Sequence, residues 1–244
     1  MESEDFSLDV AKKTLLEKGF IHWEDPGLGE NISMMAQKGF AFWTLDGLDF
    51  CMQNVLYESR IRPILKSLFG QRCILVHFLR YTARPDIVMC FGDPKVRHPR
   101  FMVQLLGKGS EAKYYGGSHL VDLPVEKTGY NFYSTPRPAL DQAGLVGDDL
   151  KFKAGGGVVI FDALLRLEIK QGFAIMSIFV VEDVLPKWRP MLLPRLPDES
   201  EQKTLEQKVA EMESPEIGVN FTFQPLDATT TTLGVGPSVH SRLP

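Results

Sequence analysis

Cysteine is scarce: three residues, Cys51, Cys73 and Cys90, in a chain of 244. They are too few and too scattered for a disulfide framework or a structural zinc site. Cations are not in excess either, with 27 Lys and Arg against 31 Asp and Glu and a net charge of −4. That balance excludes the basic footprint expected of a nucleic-acid or anionic-membrane binder. No apolar run approaches the roughly 18 residues of a membrane span. The opening MESEDFSLDV is acidic and has no apolar stretch behind a basic start, so a signal peptide is not expected. The expectation is a reducing, cytoplasmic protein. Hydrophobic residues make up 44% and charged residues 24%, enough for a sizeable core.

A helix should begin after Ser7, with Leu8, Ala11 and Leu15 on one face and Gly19 as its stop. Phe20–Trp23 reads as a short strand, followed by a glycine-spaced segment with Gly27, Gly29 and Gly39. Residues 46–69 hold a second helical region, broken near Pro63. Runs rich in Val, Ile, Leu and Phe at 72–80, 86–91 and 100–106 read as strands, and residues 107–150 as loop. Two strong strands follow, Val158–Asp162 behind three glycines and Phe173–Val181. The latter is apolar on both faces, which suits a strand between two layers or one whose outer face meets another chain. Beyond residue 189 come a proline-rich spacer, a charged helix at Glu199–Glu213 with a seam of Leu205, Val209 and Met212, and a low-complexity tail. The chain thus divides into a mainly β domain with N-terminal helices over 1–189 and appended segments over 190–244.

Four stretches in this order, LLEKGF, ILKSLFG, YYGGSHL at 114–120 and GGGVVIFDALL at 155–165, resemble the phytanoyl-CoA dioxygenase family, and within it the fungal secondary-metabolite branch. The resemblance covers roughly residues 8–185 and implies a double-stranded β-helix, the jelly-roll or cupin-like fold. Active members hold Fe(II) with two imidazoles and one carboxylate and use 2-oxoglutarate as co-substrate. In that pattern His-x-Asp precedes Gly-Ser-His, a second His follows the VVIFD strand, and a basic residue about ten positions later anchors 2-oxoglutarate. Here Phe91-Gly92-Asp93 stands for His-x-Asp, Arg166 or Leu167 stands for the second His, and Phe173–Val181 carries no cation.

These departures imply that this chain itself holds no iron and no 2-oxoglutarate. The resemblance then points to the degenerate, non-catalytic subunit of a heterodimeric meroterpenoid oxygenase. Fe(II), 2-oxoglutarate and a small hydrophobic substrate would be handled by a homologous catalytic partner. Candidate contact residues for that partner are Phe173, Ile175, Phe179, Tyr130 and Tyr133, with the region after Pro190. Three other readings stay open. The old cavity could serve a metal-independent isomerase or cyclase, with Asp93 or Arg166 as acid–base or electrostatic group. The chain could be a working iron and 2-oxoglutarate dioxygenase whose ligands are misaligned here; separately, His77, His98 or His119 with Asp93 or Asp122 could assemble a new metal site. The chain could also bind a small molecule without chemistry. His22-Trp23-Glu24, the one His-x-acid triplet, lies ahead of the barrel strands and reads as an edge pairing. His119 reads as a loop hydrogen bond, and Gly155–Gly157 as a turn rather than a phosphate loop.

Overall fold

The computed structural model describes residues 6–96, 98–128, 132–153 and 155–225. Tyr130 and the low-complexity tail lie outside them. The first helix, α1 (Leu8–Lys18), is capped by the Ser7 hydroxyl, which accepts from Val10 N, and ends at Gly19 with φ of 87°. Strand β1 (Phe20–Asp25) follows. The glycine-spaced segment is a helix, α2 (Pro26–Gln37). Its start obeys ordinary rules, since Asp25 accepts from Leu28 N and Pro26 occupies the first turn. Helix α3 (Leu45–Cys51) runs into a π-helical turn at Met52–Leu56, and α4 (Ile61–Phe69) holds Pro63 in its first turn. The break in this region falls at 57–60, just ahead of the proline, which occupies the first turn of the new helix as expected.

The body is built from β2 (Cys73–Thr82), β3 (Met89–Cys90), β4 (Arg100–Leu106), β5 (Glu111–Tyr115), β6 (Glu126–Lys127), β7 (Tyr133–Ser134), helix α5 (Arg137–Gln142), β8 (Asp148–Lys151), β9 (Gly156–Asp162), β10 (Arg166–Gln171) and β11 (Phe173–Val181). A six-stranded sheet has the order β1-β9-β4-β11-β2, completed by β13 (Ile217–Val219), and a second has the order β6-β7-β3-β10-β5-β8. From β2 to β5, and again from β9 to β11, consecutive strands alternate between the sheets. That alternation is the double-stranded β-helix expected from the sequence.

Cross-strand register fixes the faces of the larger sheet. Phe20, Phe161 and Met102 lie side by side and look toward the second sheet, where Phe161 meets Tyr114 at 6.3 Å. The alternate set includes Ile160, Val103, Ser177 and Phe78. It faces the helical layer, where Phe78 meets Phe42 at 4.8 Å. Strand β11 therefore lies between two apolar layers of its own chain, with Ile175 and Phe179 at 0% exposure. Phe173 packs edge-on against Phe40, with ring centroids 4.9 Å apart. Ile175 and Phe179 offer no surface to a partner, because the chain's own helices and the strands on either side already cover them, whereas Phe173, at the start of the strand, is partly buried.

The segment after residue 189 is woven into the same body. Strand β13 pairs in parallel with β2. β12 (Met191–Leu193) pairs with β14 (Phe221–Phe223). Helix α6 (Glu199–Glu211) buries Leu205 and is held to α3 through Lys208 and Asp49, 3.0 Å apart. The expected division at 189 does not correspond to a gap in packing. Among the described residues no helix is long and apolar enough to cross a membrane.

Candidate functional site

The positions that the resemblance assigns to iron ligands lie at one end of the jelly roll, where β3 ends and β10 begins. Phe91 N and Gly92 N both donate to Ala163 O, at 2.8 and 2.7 Å. This clips the end of β3 to the turn after β9. The approach is close: a Cβ at Gly92 would lie 2.6 Å from Leu164 Cδ2, which could swing away, and 3.1 Å from the Ala163 carbonyl, which would have to give by a few tenths of an ångström. The Phe91 ring is 8% exposed and meets Tyr81 at 5.1 Å, Phe161 at 6.2 Å and Phe132 at 6.3 Å. Tyr114 continues the cluster, stacked on Phe20 at 5.0 Å. Aromatic rings thus pack the interior that faces this end.

Strand alternation separates the two candidates for the second histidine. Leu167 is paired with Met89 and Tyr114, shares the interior face with the Tyr114 ring, and is fully buried. Arg166 points the opposite way, to the outer face of the second sheet. It is 1% exposed. Its guanidinium donates to Leu164 O at 2.6 Å, to Ser118 O and Leu123 O at 3.3 Å each, and to Thr135 Oγ1 at 3.3 Å. Its backbone N–H donates to Ser118 Oγ at 2.8 Å. Burial lowers its pKa, and no carboxylate among the described residues makes an ion pair with it. Arg166 ties the 118–135 segment down; it is not an acid–base group facing a cavity.

Asp93 stands where the resemblance calls for a carboxylate, but its oxygens are engaged. Oδ1 accepts from Lys95 N at 2.9 Å and Oδ2 from the Tyr133 hydroxyl at 3.1 Å. Burial and this bond raise the Tyr133 pKa. Tyr133, a candidate for partner contact, thus serves first as an intramolecular donor. The donor set does not fit an octahedral iron site, since Phe91 and Leu167 bring no lone pair and Asp93 is already bonded.

The histidines do not assemble an alternative. His77 lies against Trp188, with ring centroids 5.4 Å apart, and burial lowers its pKa to about 4. His119 Nε2 lies 3.2 Å from Leu16 O, the expected loop bond, and His22 is exposed on the edge strand β1. No group of three or more His, Cys, Asp or Glu converges among the described residues. The triple glycine is a packing device: a Cβ at Gly155 would meet Pro26 Cα at 2.6 Å, and one at Gly156 would meet Gly29 N at 2.7 Å.

Two features escaped the sequence reading. Glu168, beside Arg166 on the outer face of β10, is 1% exposed, accepts from the Tyr115 hydroxyl and pairs with Arg137 at 2.6 Å. Charges at i and i+2 of an apolar strand were the available signal, but β10 itself was not anticipated. The other is a cleft of about 250 Å³ at this same end, lined by His98, Arg100, Asp162 and Leu164 among others. A wider groove of about 590 Å³ lies elsewhere, between α4 and the loop before β13. Its cations Lys66 and Arg72 are already paired with Glu216 and with Glu182 and Glu213.

No family model and no curated protein matches the sequence. Solved structures resemble its fold. The non-heme alpha ketoglutarate dependent epimerase SnoN, from nogalamycin biosynthesis, superposes with a TM-score of 0.52 at 12% identity, over 71% of this chain and 82% of that one. The carbocyclase SnoK of the same biosynthesis gives 0.52 at 14% identity, over 72% and 85%. EctD from S. alaskensis, solved with 2-oxoglutarate and 5-hydroxyectoine, gives 0.51 at 11% identity, over 75% and 79%. The fold is that of the 2-oxoglutarate-dependent oxygenases. At these identities the likeness is one of fold alone.

Proposed function

We propose that this chain is a non-catalytic relative of the iron and 2-oxoglutarate oxygenases, which binds and supports a homologous catalytic subunit in fungal meroterpenoid biosynthesis. The observation that carries the reading is the filling of the site: Phe91 and Leu167 face the interior where imidazoles would be needed, and rings pack around them. A protein that has exchanged its ligands for core side chains keeps a rigid shape, and shape is what a supporting subunit supplies. Related jelly rolls often pair through quasi-equivalent faces, so a pseudo-twofold heterodimer is the expected assembly. Burial of β11 moves the contact surface elsewhere on the chain. A metal-free isomerase or cyclase is less well supported, because Arg166 faces away from the interior and aromatic rings occupy the space a substrate would need.

The test combines two measurements. Anaerobic iron loading followed by desalting and metal analysis should leave negligible iron on this chain. Co-expression with a homologous oxygenase should give a complex whose activity exceeds that of either chain alone. Iron retained near one per chain, or 2-oxoglutarate consumption by the isolated chain, would refute the proposal.

A further inference from the structure

The cleft at the mouth of the jelly roll holds an unmatched pair of charges. Arg100, the first residue of β4, is half-buried there, and Asp162, the last residue of the neighbouring strand β9, lines the same cleft. Among the described residues only Nη2 of Arg100 finds acceptors, Asp93 O at 3.1 Å and Val96 O at 3.5 Å. Its Nε is buried without any partner. Asp162 accepts from Leu164 N at 2.7 Å through Oδ1. No cation among the described residues pairs with it, and the two groups do not pair with each other, although each feels the other's charge.

Folded proteins rarely leave a shielded guanidinium nitrogen without an acceptor, because the lost hydration is costly unless a partner replaces it. Arg166 illustrates the usual solution, with four acceptors from its own chain. Arg100 lacks that solution and lines open space. Nε and Nη1 make no hydrogen bond among the described residues, and the planar set of N–H donors on a guanidinium is what recognises a carboxylate. Asp162 calls for the opposite, a hydrogen-bond donor or cation on the ligand.

We propose that this cleft binds a small organic acid bearing a hydroxyl or ammonium group beside its carboxylate, with the carboxylate on Arg100 and the neighbouring donor on Asp162. Exposed His98, on the rim of the same cleft, adds a further polar group to the entrance. Burial is the largest cause of both pKa shifts here, downward for Arg100 and upward for Asp162, as expected of ionisable groups short of partners. The site uses no iron ligand position and stands apart from the pairing proposed above.

Three acids with one carbon skeleton separate the poles: propionate has the carboxylate alone, lactate adds a hydroxyl and L-alanine adds an ammonium. Each is titrated into the full chain at constant ionic strength, which holds screening fixed, and amide chemical shifts are followed by NMR. Lactate or alanine should give saturable shifts confined to residues around 93–100 and 162–164, with higher affinity than propionate. Arg100→Gln should weaken binding by about tenfold or more, as loss of a charge-assisted bond requires, and Arg100→Lys by less. Asp162→Asn keeps the bond to Leu164 N and should erase the advantage over propionate. Circular dichroism of each variant establishes that it is folded. No saturable shift from any of the acids, or undiminished binding by folded Arg100→Gln, overturns the site. Equal affinity for all three acids overturns the two-pole assignment.

Discussion

Arg166→Met removes a buried guanidinium while keeping most of the volume of its stem. The change strands three carbonyls, of Leu164, Ser118 and Leu123, and the Thr135 hydroxyl. An orphaned buried polar group costs about 1–3 kcal/mol. Two effects oppose this: the carbonyls lie near a loop where water can reach some of them, and the variant no longer has to desolvate a cation without an ion-pair partner. Two or three acceptors left unsatisfied, less the relief of that desolvation, put the net loss at about 2–4 kcal/mol. Urea unfolding followed by circular dichroism measures it as a lower midpoint at unchanged slope. Hydrogen exchange should show the loss concentrated in residues 118–135, the segment that the guanidinium ties to β10. Arg166→Lys, with one ammonium in place of a planar fork, should recover only part. A loss below about 1 kcal/mol for Arg166→Met, or a loss spread evenly over both sheets, would refute the reasoning that this arginine holds that segment in place.

Other outcomes follow from the same geometry. His77 has a folded-state pKa of about 4 against an ordinary 6.5, so the unfolded chain binds the proton more readily. The His77 contribution to stability is therefore fully present above pH 6.5 and is lost as pH drops toward 4, by about 3 kcal/mol in total, and His77→Phe should flatten that part of the slope in urea melts at pH 7.5 and 4.5. Gly29→Ala places a Cβ 2.5 Å from Gly156 N. Because backbone cannot yield as a side chain can, the variant should lose about 1–3 kcal/mol, read as a drop in Tm. Phe91→His with Leu167→His puts two imidazoles on the interior face, whereas Phe91→His with Arg166→His puts one on each side of the sheet. Iron retained after desalting should therefore be higher for the first pair, and equal retention would contradict the assignment of faces.

Much of the barrel was legible because its strands are short apolar runs between glycine and proline clusters. The strands β4 and β11 begin and end where the sequence placed them, and α1 shows its Ser7 cap and Gly19 stop. Helix α2 was hidden by its glycines, which read as a loop when taken by conformational preference alone. Gly29 is there because two backbones touch, a tertiary requirement that local pattern does not carry. Strands β5 and β10 were missed for a related reason: Lys113, Arg166 and Glu168 look like surface residues, and only a covering segment makes two of them interior. At the site, the absence of histidine at positions 91, 166 and 167 was plain from residue identity. Which of Arg166 and Leu167 looks inward needed the register of β10. That Ile175 and Phe179 are covered needed the helical layer, since an apolar strand reads the same whether its cover comes from its own chain or from another. The cleft on Arg100 left no motif, because its walls come from residues about sixty positions apart.

Strand β11 sits between β4 and β2 in the finished sheet, although it leaves the ribosome long after both. At ordinary elongation speeds the delay between Thr82 and Val181 is roughly five to twenty seconds. For that time two nascent strands wait with a gap between them and greasy flanks open to whatever is nearby. A chain built in this order depends on holding chaperones during its own synthesis more than one whose sheet is laid down neighbour by neighbour.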